Sequence, residues 1–163
     1  MNSKIKQALT DGLLKGYAGS GTIEPINRAD FIGKSCRQIL TDNSIYNDEW
    51  FVPTHLGGGQ ELVKTDEGSF TRLYAGGSPS QEFLNKLGIT VQDVEGYLIR
   101  KVSELGGKTR LDEDCVPDAD GDWKYEYKIW ETDPNIPITV AVESILFKGI
   151  RVHIHPFILS PVE

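Results

Sequence analysis

From residue 123 to residue 158 the chain alternates apolar and polar residues almost without a break. A β-strand turns successive side chains to opposite faces, so this pattern predicts consecutive strands of an antiparallel sheet with one covered face. Three strands are expected, over 123–132, 138–147 and 150–159, the last two joined tightly at Lys148-Gly149. The same run carries two of the three histidines. His153 and His155, two residues apart, lie on one face of one strand, in phase with Arg151 and Phe157. That phase reads as the outer, polar face, with Ile150, Val152 and Ile154 turned toward the core.

The rest of the chain adds helices before and between strands. Ile5, Ala8, Leu9 and Leu13 recur at spacings of three and four, which predicts a helix over 3–16, capped by Ser3 and ended by Gly16. The stretch around Pro25, Asn27 and Asp30 reads as irregular. Short strands follow at 36–41, 45–52, 61–64 and 70–74, with Gly57-Gly58-Gly59 taken as a turn between two of them. Helical spacing returns over 80–87 and 90–105, where Val91, Val94, Leu98, Val102 and Leu105 form a stripe, Thr90 and Asp93 a capping box, and Gly106-Gly107 a stop. A short strand is expected over 108–111. Because strands run on through short links instead of alternating with helices, the fold class is α+β: a mostly antiparallel sheet of about seven strands with two or three helices, one of them packed on a sheet face. At 163 residues the chain forms a single domain over 1–163.

Several functional classes are excluded at this level. The formal net charge is −7 and Lys and Arg do not cluster, so binding to a nucleic-acid backbone is not expected. No stretch approaches the roughly 20 consecutive apolar residues of a membrane helix, and the N-terminus lacks the apolar core of a secretion signal, so the chain reads as cytoplasmic. Cys36 and Cys115 read as two reduced thiols. Charge concentrates instead in residues 112–122, which hold Asp112, Glu113, Asp114, Asp118, Asp120 and Asp122 and no base. Asp118, Asp120 and Asp122, with Trp123 and Tyr125 on the strand that follows, make a candidate patch for a basic protein partner. A competing expectation packs Trp123, Tyr125 and Tyr127 beneath the long helix. Asp118-Ala119-Asp120-Gly121-Asp122 imitates the start of a calcium loop, but Trp123 stands where its glycine belongs and Ile129 where its bidentate Glu belongs.

Two imidazoles at i and i+2 on a strand can reach one zinc or iron, and His55 supplies a third candidate metal ligand beside His153 and His155. The competing expectation is an ordinary polar outer face. Gly57-Gly58-Gly59 lacks the Lys-Ser/Thr pair and the following helix of a phosphate loop, and no nucleophile elbow is present. The chain therefore reads as a non-enzymatic protein- or ligand-binding module without a cofactor, of the acidic interaction, inhibitor or immunity type. The alternative is a small metal-dependent enzyme that uses the His153/His155 pair to hold a transition metal.

Tyr17-Ala18-Gly19, then Tyr46 through Asp48 to Phe51, Gly59-Gln60-Glu61 and Tyr74-Ala75-Gly76-Gly77 resemble the landmarks of an uncharacterised bacterial domain-of-unknown-function family sometimes fused to helix-turn-helix regulators. The resemblance covers most of the chain. It departs at Phe70-Thr71-Arg72-Leu73, where the family carries a Trp. It implies a bacterial α+β domain and transfers no site residue.

Overall fold

In a computed structural model, which describes residues 1–19, 21–52 and 54–162, the alternating segments pair into one eight-stranded antiparallel sheet. In chain order the elements are α1 (Ser3–Lys15), β1 (Glu24–Arg28), β2 (Phe31–Ile39), β3 (Ile45–Phe51), β4 (Leu56–Thr65), β5 (Gly68–Gly77), α2 (Gln81–Lys86), α3 (Val91–Leu105), a 3-10 turn (Gly106–Lys108), β6 (Trp123–Thr132), β7 (Thr139–Phe147) and β8 (Ile150–Val162). Across the sheet the order is β1-β2-β3-β4-β5-β8-β7-β6, so the last strand lies in the middle, between β5 and β7.

Three segments differ from expectation. The stretch around Pro25 is not irregular: it is edge strand β1, where a proline's missing N–H faces outward, joined to β2 through Ala29 and Asp30, both with positive φ. Gly57-Gly58-Gly59 is no turn but lies in β4, where all three pair with β5 and Gly58 and Gly59 also pair with β3. Residues 108–111 form no strand, because the 3-10 turn runs into Arg110 at φ 58°. Among the described residues no helix is long and apolar enough to cross a membrane.

The helices cover one face. α1 lies over β3 to β5, and it comes so close at Gly12 that a Cβ there would run into the Tyr46 ring. α3 begins with the expected capping box: Thr90 Oγ1 accepts from the Asp93 N–H at 3.1 Å and Asp93 returns a bond to the Thr90 N–H at 2.8 Å. Its stripe is buried as the spacing predicts, with Val94, Leu98 and Val102 almost fully covered, and Tyr97 stacks on Trp123 of β6 at 4.9 Å. Burying a side chain such as Leu98 stabilises by about 1.5–3 kcal/mol. The covered face of the sheet is not uniformly apolar. Among its tyrosines and aliphatics it also carries Asp48, Glu61, Arg72, Glu143 and His153, all buried.

Candidate functional site

His153 and His155 face inward, not outward. Ile145 pairs with His153 while Leu146 pairs with Arg151, so Val152 is the extra residue of a β-bulge and has no residue opposite it. The bulge resets the phase. Val152 and His153 are both buried, and from there His153, His155, Phe157 and Leu159 point under the helices, with Ile154, Pro156 and Ile158 turned to the outer face. The expected outer face of β8 is therefore inverted from His153 onward.

Register then decides the neighbours of the two imidazoles. Glu143 of β7 sits directly opposite His155, and its Oε2 is 3.7 Å from His155 Nδ1 and 3.9 Å from His153 Nε2. The two rings meet edge-on at 4.3 Å. Ligand-capable atoms of Glu143, His153 and His155 all lie within 4.8 Å of one another. His55 is not part of this group, although it reaches the same cleft. His153 Nδ1 faces Ser78 Oγ at 3.3 Å, whereas His153 Nε2 and His155 Nδ1 are buried without a hydrogen-bond partner among the described residues. Burial, together with the neighbouring His155, pushes the His153 pKa down to about 3, so its imidazole is neutral near pH 7.

Glu143 is held rigidly from behind. Arg110 grips it with two hydrogen bonds, Nε to Oε1 at 2.8 Å and Nη2 to Oε2 at 2.7 Å, and Tyr125 donates to Oε1 at 2.6 Å. Burial raises the carboxyl's pKa, but the guanidinium and the hydrogen bonds outweigh it and hold Glu143 well below the usual range. A second buried pair stands beside the first. Glu61 receives Arg72 and the Tyr46 hydroxyl, and Arg72 also donates to the Arg110 carbonyl at 2.5 Å.

Asp48 has no such cation of its own. The Tyr74 hydroxyl donates to it at 2.9 Å, and Tyr74 reaches it across the position of Gly59, where a Cβ would collide with the Tyr74 hydroxyl. Burial, reinforced by the negative charge of Glu61, pushes the Asp48 pKa up to about 8, so at neutral pH it is a protonated acid able to donate a hydrogen bond. Tyr74 links the two halves of the site: its ring lies 5.8 Å from that of His155.

These groups open into a cleft of about 270 Å³ between the sheet and the two long helices. Asp48, Tyr74, His153 and His155 are polar groups of its sheet side. Trp50 and Phe157 give it aromatic walls, Leu13 comes from α1 and Tyr17 from the turn after it, Val91 and Leu98 from α3, and the exposed Lys34 and Glu95 stand at its edge. Of the residues named from sequence, His55, His153 and His155 thus reach one cleft. Asp48, Glu61, Arg72, Tyr74, Arg110 and Glu143 were missed as site residues, yet each of the three acids and Arg72 leaves a trace: a charged residue in the apolar phase of a strand, as in Tyr46-x-Asp48-x-Trp50, Glu61-x-Val63, Phe70-x-Arg72-x-Tyr74 and Ala141-x-Glu143-x-Ile145.

The candidate partner patch is placed differently. Tyr125 is fully buried and serves Glu143, so it cannot meet a partner at the surface, and Trp123 is wedged between Tyr97 and Phe147. Trp123 follows the competing expectation of packing against α3, and Tyr125 is buried with its hydroxyl on Thr109 and Glu143. Asp120 pairs with Arg100 at 2.7 Å and lies near Lys101, and Asp122 faces Lys148 at 3.7 Å. Asp118 alone of the three has no ion pair among the described residues. Comparison with family models, curated proteins and solved structures finds no match to this chain, and the resemblance read from the landmarks assigns no role to any of these residues.

Proposed function

We propose that the protein binds a small polar ligand in the cleft between the sheet and helices α1 and α3. The observation that carries this reading is the convergence, in one cleft, of polar groups left over from the two Arg–Glu pairs: a neutral acid at Asp48, the Tyr74 hydroxyl and the imidazole edges of His153 and His155. Polar groups placed among aromatic walls orient a ligand while apolar burial supplies affinity. The cleft is below the roughly 300–1,000 Å³ of drug-sized sites, which suits a compact metabolite such as an amino acid, a monosaccharide or a nucleobase. A basic protein partner remains a weaker reading, since the loop that motivated it spends most of its charge within the chain.

The test is thermal denaturation against panels of those three ligand classes. A ligand that binds only the folded state raises the midpoint with its concentration. Tyr74→Phe and Trp50→Ala should abolish the rise while leaving far-ultraviolet circular dichroism unchanged. A rise that survives both substitutions would place the ligand elsewhere.

A further inference from the structure

The geometry points to a divalent transition-metal site formed by Glu143 Oε2, His153 Nε2 and His155 Nδ1, at the wall of the cleft. Two imidazole nitrogens stand 3.9 and 3.7 Å from one carboxylate oxygen, beyond hydrogen-bonding range, and neither nitrogen has another partner among the described residues. His153 is more than nine-tenths buried, so water does not relieve its orphaned nitrogen. A single proton placed between an imidazole and Oε2 would satisfy one nitrogen and leave the other unpaired. Protonating both rings would bury two further positive charges beside Arg110. One cation satisfies all three atoms at once.

The spacing is close to what that ion needs. Zinc bonds nitrogen and oxygen at about 2.0–2.2 Å, so three donors around it stand roughly 3.4 Å apart in tetrahedral geometry. Closing from 3.7 and 3.9 Å, and from a separation of the two nitrogens that lies within 4.8 Å, requires side-chain rotation on a paired backbone. The supporting shell is already built. Ser78 Oγ can accept the Nδ1 proton of His153, which leaves its Nε2 lone pair free, and Arg110 and Tyr125 fix the Glu143 carboxylate. Two imidazoles and one carboxylate suit zinc or ferrous iron, with a remaining position for a ligand from the cleft that both histidines line. Arg110 shares the Glu143 charge and weakens the site, so metal added to the protein is a fairer test than metal retained through purification. This site shares His153 and His155 with the small-ligand reading, but it is probed with metal alone, so the failure of one is distinguishable from the failure of the other.

Metal-stripped full-length protein is titrated with zinc chloride by calorimetry and with cobalt chloride by visible absorption. The expected result is one zinc per chain and the intense visible bands of four- or five-coordinate cobalt. Both should be lost in the His153→Ala/His155→Ala double variant and kept in His55→Ala. A second readout needs no variant: zinc should move the ¹⁵N resonances of His153 Nε2 and His155 Nδ1 in the wild type. Absence of stoichiometric zinc binding, binding that persists in the double variant, or zinc-induced shifts at other imidazole nitrogens overturns the site.

Discussion

Two regions of this molecule concentrate ionisable groups, and they do so in opposite ways. The loop over residues 112–122 holds six carboxylates, all exposed to water but the partly buried Asp112, and Lys6, Arg100, Lys101 and Lys148 pair with four of them across the surface. The covered face of the sheet holds fewer charges, but Glu61 with Arg72 and Glu143 with Arg110 are buried, and Asp48 and the two imidazoles stand beside them without a cation of their own. Exposed pairs are screened by solvent and salt. Buried groups without partners are held in costly states that a ligand can relieve. Charge density is therefore a poor guide to the site, and charge without water is a good one.

The sharpest way to break this comparison is to remove one partner from each region. Arg110→Met should leave Glu143 charged, buried and unpaired, and lower stability by about 3–5 kcal/mol in urea denaturation, whereas Arg110→Met combined with Glu143→Leu should recover most of that loss. If the double variant is no better than the single, the Arg110–Glu143 pair is not the element at stake.

Next in size is a pH effect. An unfolded aspartate titrates near 3.8, whereas Asp48 in the fold titrates at about 8. Between those values the native chain holds a proton that the unfolded chain has lost, so this contribution is complete below about pH 4 and disappears as pH rises through about 8. Asp48→Asn removes the titrating group, and its stability relative to wild type should grow as pH rises from about 6 to about 9. A constant difference across that range would mean that Asp48 is already ionised.

The smallest expected effect belongs to the loop. Asp118→Asn with Asp120→Asn should leave the denaturation midpoint unchanged within error at physiological salt, because Arg100 keeps Glu104 as an alternative partner. A clear loss of stability would show that the exposed network matters more than its solvation allows.

How far the sequence reaches follows the same division. Local signals were legible: the Leu98 and Val102 stripe, the Thr90–Asp93 capping box and strands β6 to β8 depend on residues near one another in the chain. The facing of the two histidines was not, because one unpaired residue, Val152, reverses every side chain after it and nothing in an alternating pattern announces a bulge. Edge strand β1 was hidden by turn-forming residues that an edge tolerates. His55 was grouped with the histidine pair on residue type alone, while the actual third member, Glu143, is chosen by register between β7 and β8. Its signal was a lone charge in an apolar phase, which has meaning only once the covered face is known.

The most direct measurement sets the two regions against each other. Wild-type protein, a Trp50→Ala/Tyr74→Phe cleft variant and the Asp118→Asn/Asp120→Asn loop variant are each dialysed to equilibrium against a small-molecule cell extract, and the retained compounds are quantified by mass spectrometry. A compound enriched by the wild type should be enriched equally by the loop variant and lost from the folded cleft variant. Retention that survives in the cleft variant, or that is lost in the loop variant, would contradict the assignment of ligand binding to the cleft.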